Sequence, residues 1–193
     1  NRFSREEINV LYSAASERTK MFMLLGLNCG MGQADISSLR VSEVQMSNKR
    51  IVRKRTKTGV HCEFALWPLT VQMLKKHGNL DGEPNDRVFL SKSGHPLVRE
   101  YFIDDKFKRT DAIRSAFFRL MKKTQLPNHR GFYSFRKTAA SEIEAIDPAV
   151  TEMFLAHSEK GLKRHYAERD WNRLDSAIKK LEQVIVLDDE VAK

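Results

Sequence analysis

The sequence predicts a mainly α-helical domain that carries a small antiparallel β-sheet. Three observations predict it. Several segments repeat their apolar residues every three to four positions, the period of a helix with one buried face. Residues 50–67 instead place β-branched residues on either side of a Lys-Thr-Gly turn, the pattern of a hairpin. The 193 residues, 41% hydrophobic and 31% charged, suffice for one core and contain no apolar run long enough to cross a bilayer.

The elements follow in order. Ser4 and Glu7 are spaced as a capping box, so a helix starts near Arg5 with Ile8, Leu11 and Tyr12 inward. ERTKMFMLLGLNCG is strongly apolar and reads as a buried second helix. MGQADISSLRVSEV is a glycine-containing turn and a short helix, with Ile36 and Leu39 inward. The hairpin comes next; Pro68 closes its second strand, and LTVQMLKKH resumes helical spacing. LDGEPNDRVFLSKSGHPL is dense in turn residues around a short expected strand, RVFL. In RTDAIRSAFFRLMKKTQL, Ile113, Phe117, Leu120 and Met121 share one helical face, and Pro127 ends the helix. SFRKTAASEIEAI is another helix, and Asp147 caps the next, with Pro148 at its first position. GLKRHYAER reads as a short helix. In the final one, Trp171, Leu174, Ile178, Leu181 and Ile185 form one stripe. The expected organisation is a single domain over residues 1–193. Residues 4–170 form its core, and residues 171–187 a C-terminal helix that packs in cis or on a neighbouring copy. The chain opens at Asn1 rather than Met, as a fragment of a longer protein would.

The 34 Lys and Arg against 25 Asp and Glu give a formal net charge of +9. That excess favours a polyanionic partner, nucleic acid above all. Cys29 and Cys62 lie far apart in apolar surroundings, with no CxxC pair and no Cys/His cluster to suggest zinc. They read as buried free thiols of a reducing cytoplasm. No GxxxxGK[ST] loop suggests an ATPase, and no close carboxylate cluster suits a two-metal nuclease. No metal and no cofactor is expected.

Arg, Lys, His and Tyr remain as the chemical groups. Phosphoryl transfer without a metal needs a nucleophile, cationic donors for the negative oxygens, and an acid for the leaving oxygen. Tyr166, within GLKRHYAERDW, is a candidate nucleophile or a surface aromatic on a basic helix. Arg136 lies near a helix start, where free N–H groups already favour an anion, and its guanidinium can grip two phosphate oxygens. His157 ends EMFLAHS at the core edge, placed to donate to a phosphate oxygen or to interact with the helix dipole. Lys57 occupies the hairpin tip, as a phosphate contact, a proton donor or a solvated side chain.

Taken in order, KTG with Lys57, YSFRKTAAS with Arg136, FLAHS with His157 and LKRHYAE with Tyr166 resemble the catalytic domain of tyrosine recombinases, the phage integrase family. The resemblance covers about residues 4–187. The paired LAHS and HYAE segments are its specific part, and KTG alone is weak. The resemblance implies that family's fold and DNA recombination or integration by a mobile element. Tyr166 would attack a scissile phosphate of double-stranded DNA, form a 3′-phosphotyrosyl link and release a 5′-hydroxyl, without metal or cofactor. Arg136, His157 and Lys57 would assist. It also implies a homotetramer on DNA (with a monomer open to the isolated domain), no membrane, a cytoplasmic, nucleoid-associated setting of bacterial or phage type, and a helical DNA-gripping domain ahead of this one.

Two departures stand out. The family's TGLR-x-x-E segment corresponds to CGMGQAD, which puts Gly32 at the first arginine and Asp35 at the acidic residue. Tyr133 stands three before Arg136, where the family has His or Lys. Arg40 is too far along to be the same arginine; a replacement cation from Arg40, Arg130, Lys137 or Arg164 stays open. The expectation is a recombinase fold with a damaged or rearranged site. The alternative is a DNA-binding module that has lost its chemistry, and a type IB topoisomerase is disfavoured by the compact chain. Arg53, Lys54, Arg55, Lys122, Lys123, Lys137 and Arg164 are expected to meet DNA phosphates. Such contacts give affinity and salt dependence rather than sequence reading.

Overall fold

The computed structural model describes residues 2–127, 130–157, 169–185 and 187. In chain order the elements are α1 (Arg5–Ala14), α2 (Glu17–Asn28), α3 (Gln33–Ser38), β1 (Val44–Gln45), β2 (Arg50–Lys54), β3 (His61–Ala65), α4 (Pro68–His77), β4 (Val98–Ile103), β5 (Lys106–Asp111), α5 (Ala112–Thr124), α6 (Ser134–Ile146), α7 (Thr151–Phe154) and α8 (Trp171–Val184). Single 3₁₀ turns occupy Val41–Glu43 and Pro148–Val150. No helix among the described residues is long and apolar enough to cross a membrane.

The first helix forms as its cap dictates. Ser4 Oγ accepts from the Glu7 N–H at 3.2 Å, and Glu7 Oε2 accepts from the Ser4 N–H at 2.9 Å. Ile8, Leu11 and Tyr12 are the residues it buries. In α2 every residue from Met21 to Asn28 is buried, so beyond its first turn this helix has no solvent face and forms the centre of the domain. Helices α4, α5, α6 and α8 pack around it. The amphipathic faces of α5 and α6 supply Ile113, Phe117, Phe135 and Ile143, each at most 2% exposed.

The sheet has the order β1-β2-β3, all antiparallel. Its register pairs Arg53 with Cys62 and Ile51 with Phe64. Helix α8 covers β3 and α6. Its stripe of Leu174, Ile178 and Leu181 is buried, and the Ile178 carbonyl accepts from Trp67 Nε1 at 3.0 Å. Arg50 grips Asp175 with both amino groups, at 2.6 and 3.1 Å, and so ties α8 to the sheet. In this structure the last helix therefore packs on its own domain.

The structure departs from expectation in two places. RVFL forms no strand: Val88 and Phe89 are buried, but the segment makes only isolated bridges, Arg40 with Arg87 and Leu90 with Pro96. Strands β4 and β5, which the sequence did not suggest, form a separate hairpin. Asp104 and Asp105 turn it with positive φ at both residues, as a two-residue type I′ hairpin loop requires. Phe102, Ile103 and Phe107 are 50–70% exposed at its tip. The expected helix at GLKRHYAER falls almost wholly outside the described residues. Both cysteines are free and buried; burial pushes the Cys62 thiol up to about 11, which keeps it protonated and inert at neutral pH.

Candidate functional site

The site is built where three segments meet: the turn after α2, the β2–β3 loop, and the turn after α7. Arg136 joins the first to the third. It lies in the first turn of α6 and is 2% exposed. Its Nη1 donates to the Gly30 carbonyl and its Nη2 to the Leu155 carbonyl at 2.5 Å. Those carbonyls follow the C-terminal ends of α2 and α7, where the helix dipole is negative. Burial, and next the nearby charge of Arg55, push the Arg136 pKa below the usual arginine value. Its Nε is buried and reaches no acceptor at hydrogen-bonding distance among the described residues, although Tyr133 is near enough to favour the charged form.

Gly30 has to be glycine. Its φ is +58°, and an added Cβ would come within 2.9 Å of the Phe154 ring. Gly30→Ala should therefore lower stability by at least about 2 kcal/mol, combining left-handed backbone strain with overpacking. Urea unfolding at constant m-value checks it.

Strand β2 sends Ile51 and Arg53 to the buried face, and Arg55, just beyond it, continues the alternation. Arg53 is 5% exposed; its Nη1 donates to the Asp35 carbonyl at 2.8 Å, its Nη2 to Ser38 Oγ at 3.0 Å, and its Nε faces Glu43 at 3.5 Å. Arg55 is 8% exposed; its Nε faces Asp35 Oδ1 at 3.4 Å and its Nη1 reaches the Leu155 carbonyl at 3.4 Å. Asp35 completes this network, because its Oδ2 accepts from the Gly32 N–H at 3.0 Å. Asp35, Arg53, Arg55 and Arg136 line one small space of about 10 Å³ together with Cys62 and Ala156. Among the described residues no three His, Cys, Asp or Glu side chains gather as a metal site would require.

The β2–β3 loop is anchored at both shoulders. Besides the Arg55 contact, Thr58 Oγ1 donates to the Ala156 carbonyl at 3.0 Å. Lys57 sits between these anchors, exposed in the turn. The turn after α7, which supplies the Leu155 and Ala156 carbonyls, leads directly into His157, whose Nδ1 is 2.9 Å from Glu152 Oε2. The structure thus brings Arg136, the loop of Lys57 and the backbone of His157 to one place. Tyr133 is 44% exposed, with the Lys137 ammonium 6.0 Å from its ring centroid. Tyr166 and Arg164 lie outside the described residues.

The other candidates are distributed differently. Lys54, Lys122, Lys123 and Lys137 are exposed; Lys123 donates to the Ala14 carbonyl at the end of α1. Arg53 and Arg55 are not surface residues: their guanidiniums are turned into the domain. Two of the proposed replacement cations are engaged elsewhere, Arg40 with the Asn85 carbonyl and Arg130 bidentately with Glu7 at 2.5 and 2.6 Å. A broad surface groove of about 1130 Å³ runs between the β4–β5 hairpin and α5, lined by Arg99, Arg109, Arg114 and Arg119.

A cluster of buried arginines, an exposed lysine in the loop beside it and a basic groove outside are thus carried by one domain. The phage integrase family model matches residues 1–173, and the chain belongs to that family. A search of curated proteins finds no match. Among solved structures, the chain resembles an integrase from mycobacterium phage Brujita (TM-score 0.68, 13% identity, covering 94% of this chain and 57% of that one). It also resembles the Tn1549 transposon integrase in complex with transposon right end DNA (TM-score 0.66, 14% identity, 94% and 66%). A third is XerA recombinase (TM-score 0.61, 19% identity, 94% and 62%). The chain therefore spans about three-fifths of the length of these structures, and at such identities the likeness is one of fold.

Proposed function

We propose that this chain is the catalytic domain of a site-specific DNA recombinase that works through a covalent protein–DNA intermediate. Tyr166 attacks a scissile phosphorus atom. Its hydroxyl gives its proton to solvent water, the new O–P bond forms a 3′-phosphotyrosyl link, and the bond to the 5′ oxygen breaks. Lys57 supplies the proton that converts that oxygen to a 5′-hydroxyl. Arg136 and His157 hold the non-bridging oxygens, whose negative charge grows in the transition state. The observation that carries the reading is the convergence on residues 155–157: Arg136 binds the Leu155 carbonyl, the Lys57 loop binds the Ala156 carbonyl, and His157 follows.

Double-stranded DNA is the partner, with the Arg99–Arg119 groove and exposed Lys54, Lys122 and Lys137 as phosphate contacts and a homotetramer as the working assembly. The lambda integrase structure that this fold resembles (TM-score 0.61) is a dimer bound to a core site.

The test is a suicide duplex carrying the protein's own site, incubated with the full-length protein. The expected result is a denaturant-stable protein–DNA adduct that Tyr166→Phe abolishes while leaving DNA affinity unchanged. No adduct under conditions of tight binding favours the second reading, a DNA-binding module without cleavage. The specific observation behind that reading is Gly32, which presents no side chain where the family motif has an arginine.

A further inference from the structure

We infer that Arg55 is the second phosphate-gripping guanidinium of this site and replaces the side chain that Gly32 lacks. The inference rests on the strand-cleavage reading above and assigns the residue that completes it.

Four observations carry it. The first is a shared carboxylate. Asp35 Oδ2 accepts from the Gly32 N–H at 3.0 Å, and its Oδ1 faces Arg55 Nε at 3.4 Å. A side chain at residue 32 would start beside the same group, since an ideal Cβ there lies 3.6 Å from Asp35 Oδ2 and 3.4 Å from the Tyr133 ring. Arg55 therefore reaches, from the end of β2, a carboxylate that lies beside the point where a side chain at residue 32 would begin. The second is a shared carbonyl. Arg55 Nη1 and Arg136 Nη2 both point at Leu155 O, at 3.4 and 2.5 Å. Two guanidiniums on one oxygen are close enough for the charge of Arg55 to disfavour that of Arg136.

The third observation is the charge balance. Arg53 faces Glu43 and Arg55 faces Asp35, whereas both Nη groups of Arg136 donate to backbone carbonyls. Among the described residues, three buried guanidiniums against two carboxylates leave one positive charge in excess, a cost that an arriving anion removes. The excess suits a phosphodiester, and suits still better the more negative transition state formed from it. The fourth narrows the field: Arg40 and Arg130, two of the four cations the sequence left open, bond to the Asn85 carbonyl and to Glu7, outside this network. Arg55 takes no covalent part. Its N–H groups hold a non-bridging oxygen while the Tyr166 O–P bond forms and the bond to the 5′ oxygen breaks.

Two readouts on the full-length protein test this. One is the rise in melting temperature on adding inorganic phosphate; the other is the rate of adduct formation on the suicide duplex. Arg55→Ala is expected to lose the phosphate-induced rise and to slow adduct formation by about 10²–10³-fold. Adding Gly32→Arg to Arg55→Ala is expected to recover at least about tenfold of that rate, because the restored side chain begins beside the vacated Asp35. Should Arg55→Ala fail to fold, Arg55→Lys keeps the charge beside Asp35 but loses the two-pronged grip, and it should still be at least about tenfold slow. Unchanged phosphate response and unchanged adduct rate in the folded Arg55 variant overturn the inference. A parent protein that binds phosphate through Arg55 but forms no adduct keeps the anion pocket and removes the cleavage reading. A parent that does neither removes both.

Discussion

Arg136→Lys is expected to slow covalent complex formation by about 10²–10³-fold with little change in DNA affinity. The reason is geometric. The guanidinium spans from Gly30 O to Leu155 O, across the gap between the ends of α2 and α7, with one planar fork. A lysine ammonium is a single point donor and cannot keep both carbonyls while also offering an N–H to a phosphate. Because Arg136 is 2% exposed, it adds little to the long-range attraction of DNA, which falls to the exposed lysines and the arginine groove. Single-turnover cleavage and equilibrium binding, measured on the same preparation, separate the two effects. Equal losses in rate and affinity would show that Arg136 acts through general DNA binding instead.

Phe135→Ala is expected to cost about 3–5 kcal/mol of folding stability, near the upper end for a core truncation. Phe135 is fully buried, and its ring centroid lies 5.0 Å from that of Phe3 and 5.4 Å from those of Phe117 and Phe132. These tilted and edge-on contacts tie α5 and α6 to the segment before α1. The hole left by truncation cannot close, because α2 and α6 already touch: a Cβ on Gly26 would lie 3.0 Å from Phe135 Cβ. Since Arg136 is the next residue of α6, the same substitution should also loosen the site. Urea unfolding measures the first effect. A loss below about 1.5 kcal/mol would mean that the cluster repacks.

The helices were legible in the sequence because their signals are local. The Ser4 box, the spacing of Ile113, Phe117 and Leu120, and Pro148 behind Asp147 each act within a few residues. The β4–β5 hairpin was not legible for the opposite reason. VREYFI and KFKRTD bury little on either face, so no alternation of apolar and polar residues marks them. RVFL had the composition of a strand, but its neighbours offer only single bridges, so burial came without a ladder. At the candidate site, Lys57, Arg136 and His157 were named from the order of their motifs, and the structure adds that the Lys57 loop and Arg136 both bond to the turn leading into His157. Arg53 and Arg55 were read as surface residues, open to DNA, because a run of basic residues ordinarily faces water, but both are buried. The missed signal was the two-residue period shared with Ile51, which turns both arginines inward. It acquires meaning only when Asp35 and Glu43, remote along the chain, are known to wait on that side.

The backbone at Leu155 and Ala156 has an energetic consequence. Groups from α6 and from both shoulders of the β2–β3 loop rest on these two consecutive carbonyls. A double-mutant cycle pairing Thr58→Val with Arg136→Lys should therefore show coupling of about 0.5–3 kcal/mol, since neither footing can shift without unsettling the other. Damage at any one of these positions propagates through a common support, so losses at the three do not simply add.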